Sequence, residues 1–433
     1  MFVLCHYRLI FIVFIFEVLS GCATILDEVR MMKIINELIQ IETSRQNNGL
    51  ELIASENFAS QEVRAICGSI LTNKYAEGYP GKRYYGGCKY IDEVEQLAID
   101  LVTKLFGCKF ANVQPHSGSS ANMIAYASVL NLGDKILSLS LDQGGHLTHG
   151  SPVSFSSKHY AIVHYGLKKD GTLDYDQMRA LAEKERPQLI LAGFSSYPYQ
   201  IDFKIIGEIA HSIGALFMVD MAHIAGLIAA GEHPNPFPHA DIVTSTTHKT
   251  LRGPRGGIIL TNSEDLIKKI NFTCFPGMQG GPLENIIGAK AQCFYEASQP
   301  DYKKYIKGVV DNTKECASEF SRLGADVSGT ETHLFLVNTK KSYGLTGKMA
   351  TKMLEEVDIT VNKNMLPNDE EKPNITSGIR IGLAALTTRG IGLDGARQVA
   401  RIINAYLSGA INQDEATKEV LELASTLKKV ELL

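Results

Sequence analysis

Between about Ile91 and Asn262, helix-like patterns alternate with short apolar runs that end in polar residues, and this alternation limits the possible folds more than anything else in the chain. The runs are Lys135–Leu141, Gln188–Phe194, Ala215–Val219, Asp241–Val243 and Gly257–Leu260. Strands spaced by helices imply a mainly parallel sheet with helices on both faces. Ligands of such sheets sit beyond the carboxyl ends of the strands. The residues that follow each run are therefore where chemistry is expected.

The flanks read differently. From Met32 to Asn48, Ile34-Ile35, Leu38-Ile39 and Ile41 recur at helical spacing with charges between them, which predicts an amphipathic helix. The stretch to about Gly87 is irregular and rich in Tyr and Gly, as suits a surface held against a ligand or a partner subunit. After about Ala297 the chain becomes helix-rich and more charged, with a strand-like His333–Asn338. The predicted organisation is a leader-like extension over 1–30, an N-terminal arm over 31–82, a large domain over 83–296 and a small α/β domain over 297–433. A chain of 433 residues has room for these units around a large core.

A net charge of -4 gives no electrostatic case for a nucleic-acid partner. The cysteines (Cys5, Cys22, Cys67, Cys88, Cys108, Cys274, Cys293, Cys316) are scattered and form no C-x-x-C pair. That pattern suits reduced thiols in a cytosol, not a disulfide framework or a zinc site. The first residues point the other way. Arg8, the apolar run Leu9–Phe16 and Leu19-Ser20-Gly21-Cys22-Ala23 resemble a lipoprotein signal, although the run is too short to span a membrane. Met31 and Met32 open what reads as the start of a cytoplasmic protein, and translation from there is the expectation.

Four places carry candidate chemistry. In Asp241–Gly257 a strand runs into Ser/Thr residues, then His248-Lys249, then a Gly-rich turn. A lysine at a sheet's carboxyl edge, partly buried among cations, has a lowered pKa and becomes a nucleophile. The hydroxyls, His248 and Arg255 supply what a phosphate-bearing aldehyde needs. In Met218–His223, Asp220 ends a strand; it could pair with a protonated pyridine nitrogen or simply cap a helix. In Gln114–Asn122, small residues before a helical run offer an anion site or an N-cap. In Leu141–Gly150, two glycines allow close backbone approach and His146 could lay a flat face on an aromatic ring. His146-Leu147-Thr148-His149 lacks the Cys or carboxylate cluster a zinc site would want, so no metal is expected.

Taken in order, these segments closely resemble the serine hydroxymethyltransferases. So do Leu52–Asn57, Asn73–Gly87, Phe275–Pro282, Thr360–Asn364 and Ser377–Arg380. The resemblance runs from about Met32 almost to the end. It implies an aspartate-aminotransferase-like α/β fold (fold type I) with a mainly parallel, seven-stranded type of sheet, pyridoxal 5'-phosphate as cofactor and tetrahydrofolate as co-substrate. The implied reaction is the reversible conversion of serine and tetrahydrofolate to glycine and 5,10-methylenetetrahydrofolate by a homodimer or homotetramer with shared sites.

Carried over residue by residue, Lys249 holds the cofactor covalently and Asp220 pairs with its ring nitrogen. His146 stacks on the ring, while His223 and Ser195 bond its hydroxyl. Ser117, Gly118, Ser119 and His248 surround the phosphate, joined by Gly280 of the neighbouring chain. Ser55 and Arg380 hold the amino acid's carboxylate. Tyr75, Glu77 and Tyr85 come from the partner, with Glu77 as acid–base group at the transferred carbon. Leu141, Gly145 and Leu147 line the folate site, with Asn364 near the pterin. The sequence departs from the family pattern at Ser120, where Gln is common, at Gly382-Leu383-Ala384-Ala385 in place of G-T-P-A, and at Lys372-Pro373-Asn374 in place of Ser-Pro-Phe. The last departure bears on folate affinity. Two rival readings are a folate-independent aldolase of threonine-like 3-hydroxy amino acids and a surface-anchored lipoprotein without activity.

Overall fold

The structure, a computed structural model, describes residues 32–432; the leader-like segment 1–30 lies outside them. The first described element, helix α1, covers residues 32–48, the span that the apolar spacing predicts, and Glu42 and Arg45 pair along it at 2.7 Å.

Seven strands build the central sheet. They are β2 (Phe110–Asn112), β3 (Lys135–Leu139), β4 (Ala161–Tyr165), β5 (Leu189–Ala192), β6 (Leu216–Asp220), β7 (Ile242–Thr246) and β8 (Gly257–Thr261), after a short β1 (Leu50–Glu51) that pairs elsewhere. The sheet order is β2-β8-β7-β6-β5-β3-β4. Neighbours from β7 to β4 are parallel, and β8 runs antiparallel to both β7 and β2. β8 follows β7 through a turn with no crossover helix, so it has to reverse direction.

The inner strands β5, β7 and β8 are buried along their whole length, as expected when both faces are covered. Side chains alternate between two cores. Ile190, Phe217 and Val219 join Phe106 and Phe294 on one face; Leu189 and Met218 join Tyr126 and Ile259 on the other. Two strands fall outside the five apolar runs. β4 has exposed Ala161 and His164 and lies at the sheet's edge, and β2 is three residues long.

The last third forms another core around a three-stranded antiparallel sheet. Here β9 (Leu334–Val337) and β11 (Asn362–Asn364) flank β12 (Gly378–Gly382), while β1 pairs in parallel with β10 (Ile359–Thr360). Leu50 and Leu52 pack there with Phe320, Phe335, Ile379 and Ile403. The amide of Gly382 donates to Leu52 O at 2.8 Å. A Cβ at Gly382 would lie 2.5 Å from Ala54 Cα, so only glycine permits this approach. The departure Leu383-Ala384-Ala385 is buried in the same region. Among the described residues, no helix is long and apolar enough to cross a membrane.

Candidate active site

The carboxyl ends of β2, β3, β5, β6 and β7 meet at one edge of the sheet, above a cavity of about 220 Å³. Its walls include Ser117, Gly118 and Ser119 after β2, His146 and His149 after β3, and Phe194 and Ser195 after β5. Asp220, Ala222 and His223 come from the end of β6, and Thr246, His248, Lys249 and Arg255 from the end of β7.

Lys249 is set by the turn that follows β7. Arg252 adopts a left-handed conformation (φ 65°), and its amide donates to Lys249 O at 3.0 Å while that of Gly253 donates to Thr247 O at 2.8 Å. Arg252 then lies over the Tyr305 ring at 4.5 Å, and Asn57 Nδ2 donates to Lys249 O at 3.0 Å. The side chain is almost fully buried. Burial lowers the amine's pKa from 10.5 to about 8, with Arg380 and Arg255 adding to the fall and Asp220 opposing it. Roughly a tenth of the amine is therefore neutral and nucleophilic at pH 7, against well under a thousandth for an ordinary lysine.

Asp220 sits inside a polar network. Its Oδ2 accepts from Asn122 Nδ2 at 2.8 Å and lies 3.1 Å from His149 Nε2; its Oδ1 accepts from the Ala222 amide at 3.1 Å. Burial works against the charged form, yet the His149 bond and neighbouring cations hold the carboxyl below the usual range. Asn122 also donates to Thr148 Oγ1 at 2.9 Å, which lies 2.7 Å from His146 Nδ1. The ring of His146 is thereby oriented at the cavity wall. Burial, and then Lys249 and Arg380, keep His223 neutral.

The end of the cavity formed by Ser117–Ser119, His248 and Arg255 is equally specific. Helix α3 (Gly118–Val129) starts at the cavity, with Ser117 as its N-cap accepting from the Ser120 amide at 3.1 Å. The side chain of Ser120, one of the departures, adds a second contact to the cap, its Oγ lying 3.0 Å from Ser117 Oγ. Gly118 packs against β7 so closely that a Cβ would lie 2.6 Å from Thr246 Cγ2. His248 Nδ1 is buried without a hydrogen-bond partner, and Arg255 stands on the same wall. Free helix amides, an unpartnered imidazole nitrogen and a guanidinium suit a phosphate. With a buried anion for a ring nitrogen and a nucleophilic amine, the residues fit pyridoxal phosphate.

The other expected residues fall into two groups outside the cavity lining. Arg380 on β12 donates through Nη1 to Ser195 O and through Nε to Asn362 Oδ1 at 3.1 Å, which brings β12 to the cavity's rim. Ser55 follows Ala54, the residue packed on Gly382. Leu141 and Leu147 are exposed, and a Cβ at Gly145 would lie 2.2 Å from Leu139 O. Asn364 donates to Met365 O at 2.6 Å, and Lys372-Pro373-Asn374 is exposed.

Tyr75, Glu77, Tyr85 and Gly280 form the second group. The Tyr75 and Tyr85 rings meet edge to face at 5.4 Å, and Tyr75 Oη lies 3.5 Å from Glu77 Oε1. A Cβ at Gly280 would stand 3.4 Å from Glu77 Oε1. Exposed Ile70, Tyr84, Phe272, Met278 and Leu283 lie on the same segments.

Sequence reasoning assigned no role to Asn122 or to His149 as partners of Asp220. Asn122 stands one helical turn after Gly118, which places it on the face that meets the cavity; His149 carried the signal of a His-x-x-His spacing.

The family model for serine hydroxymethyltransferase matches residues 29–403. A serine hydroxymethyltransferase of Lactobacillus gasseri is 52% identical over 397 residues, covering 91% of this chain and 96% of the relative. One from Lactobacillus acidophilus is 53% identical over 394 residues, covering 89% and 96%.

Proposed function

The chain belongs to the serine hydroxymethyltransferase family, and from that premise we propose how its residues divide the work. It interconverts serine plus tetrahydrofolate with glycine plus 5,10-methylenetetrahydrofolate, using pyridoxal phosphate. When bound, that cofactor supplies an electron sink for the bond broken at the amino acid's α-carbon.

Lys249 would hold the cofactor, its neutral amine being the nucleophile that a phosphate-bearing aldehyde needs. Asp220, its carboxylate fixed by Asn122 and His149, would pair with a protonated ring nitrogen. His146 would face the cofactor's ring, and Ser195 and neutral His223 would bond its hydroxyl. Ser117, Gly118, Ser119 and His248 take the phosphate. Arg380 and Ser55 clamp the substrate carboxylate, and Leu141, Gly145, Leu147 and Asn364 face the folate.

Glu77, with Tyr75 and Tyr85, moves the proton at the transferred carbon. These residues and Gly280 serve a neighbouring copy's cavity: they cluster together with exposed apolar neighbours and do not line their own chain's cavity. The assembly is thus a homodimer or a pair of dimers. Residues 31–82, 83–296 and 297–433 act as arm, cofactor domain and small domain. A cytoplasmic setting fits the cysteines: those from Cys67 to Cys316 are all unpaired, and burial pushes the thiols of Cys108 and Cys274 up to about 12 and 11.

The observation that carries this reading is Lys249 and Asp220 on the wall of one cavity that ends in a phosphate cradle. The test is a serine-cleavage assay on the purified chain with and without tetrahydrofolate. Formation of methylenetetrahydrofolate is expected; cleavage of serine at the same rate without folate would overturn it.

A further inference from the structure

Arg83 has no part in the roles assigned so far, yet its side chain is only 3% exposed and uses its whole fork. It lies on the return strand of a small hairpin, Gly78–Tyr79 against Lys82–Arg83. Nη1 donates to Ala76 O and to Gly78 O, both at 2.9 Å, the two carbonyls that flank Glu77. Nε donates to Asp92 Oδ1 at 2.8 Å and Nη2 to Glu95 Oε2 at 2.7 Å. Asp92 and Glu95 are one turn apart on helix α2 (Lys89–Phe106), which packs against the sheet's core.

The network continues to the cofactor side. Gln114 Nε2 donates to Glu95 Oε1 at 2.8 Å and to Gly78 O at 2.9 Å, three residues before Ser117. Gln279 Nε2 donates to Gln114 O at 3.0 Å, one residue before Gly280. Glu284 Oε1 is 3.8 Å from Arg83 Nη2, and neither of its oxygens has a hydrogen-bond partner. Burial, with Glu95 alongside, pushes Glu284 up to about 8, so near neutral pH it is largely the uncharged acid.

We infer that Arg83 is a positioning residue for Glu77, holding its backbone in fixed register with the phosphate cradle and the Gly280 loop. This rests on the reading of Glu77 as the acid–base group. A guanidinium can bind two carbonyls and two carboxylates in one plane, which a lysine ammonium cannot. Gly78 (φ +99°) and Gly81 (φ +73°) flank a turn that would otherwise be free to shift. Displacing an acid–base group by about 1 Å can cost roughly a hundredfold in rate.

The test is a double-mutant cycle on the holoenzyme with Arg83→Lys, Glu77→Gln and both together, read as folate-dependent turnover, serine KM, cofactor content and Tm. Arg83→Lys is expected to lower kcat by about ten- to a hundredfold, with serine KM and cofactor content near wild type. In the Glu77→Gln background it should cost nothing further. Wild-type kcat in Arg83→Lys beside a disabled Glu77→Gln overturns the inference alone, as does an undiminished Arg83→Lys effect in the Glu77→Gln background. Retained turnover in Glu77→Gln overturns the reading of Glu77 and this inference with it. Should Arg83→Lys not fold, Glu95→Gln enters the same cycle: a smaller loss of kcat, again absent in the Glu77→Gln background, supports the inference, and an equal loss in both backgrounds overturns it.

Discussion

A lysine in water is protonated well beyond neutral pH and attacks nothing. Lys249 departs from that because its ammonium would sit among Arg380 and Arg255 in a site shut off from solvent, with Asp220 as partial compensation. The neutral amine is the nucleophile, so covalent capture of pyridoxal phosphate by the apo-protein should rise with pH through about 8 and level off above it. Stopped-flow absorbance across that range checks this; a rate independent of pH would contradict it. Lys249→Ala should show no covalent capture, and borohydride trapping with peptide mapping should mark Lys249 in the parent. Arg83 was illegible from sequence for a physical reason: its meaning lies in two backbone carbonyls and two carboxylates, and no local spacing announces such partners.

At the scale of elements, the helix α3 start shows how packing fixes a ligand site. Gly118→Ala keeps the helix, since alanine is the better helix former. The added methyl would, however, press on Thr246. Overpacking of that kind costs about 1–3 kcal/mol, and a shift of the cradle by that much would be roughly a five- to 150-fold loss of cofactor affinity. Equilibrium titration of the apo-variant measures it, and unchanged affinity would mean that the cradle yields. Strands were legible where an apolar run is buried on both faces, as in β5 and β7. They were illegible where the run is short or wet: β4 exposes Ala161 and His164 at an edge, and β2 has three residues. Likewise Ser117–Ser119 read as either anion site or cap, and the structure makes Ser117 a cap at the mouth of the cavity.

For the whole molecule, Glu77 does not line its own chain's cavity, and on the proposed reading the assembly would be part of the catalyst. Chains carrying Lys249→Ala and chains carrying Glu77→Gln should each be nearly inactive. Assembled together they should recover about a quarter of wild-type activity, because half the dimers are hybrids with one intact site. Activity no higher than the sum of the two variants would place Glu77 in its own chain's site. Acid should also loosen the fold. Burial holds His223, His233 and His333 below the ordinary 6.5, with His233 at about 4 and His333 at about 3. The unfolded chain therefore binds more protons as pH falls below about 6.5, and stability falls with it. His233 and His333 each contribute about 2 kcal/mol of loss between pH 7 and 5, and His223 acts in the same direction. Glu284, raised to about 8, works in the other direction and returns roughly 2–3 kcal/mol over the same range. A Tm lower at pH 5 than at pH 7 is expected for the apo-protein, and an equal or higher Tm would refute the balance.

The pairing of Leu50–Glu51 with Ile359–Thr360, and of Leu52 with Gly382, also sets an order in time. A ribosome making roughly 5–20 residues per second releases the first partner at least about 15 s before the second. Until then Leu50 and Leu52 have no core to enter, and the turn carrying Ser55 has no Gly382 to rest on. The central sheet can close while the chain is still being made. The corner that joins Ser55 to Arg380 cannot, so a nascent protein truncated before β12 would hold the cofactor's lysine on a finished sheet yet lack any seat for an amino acid.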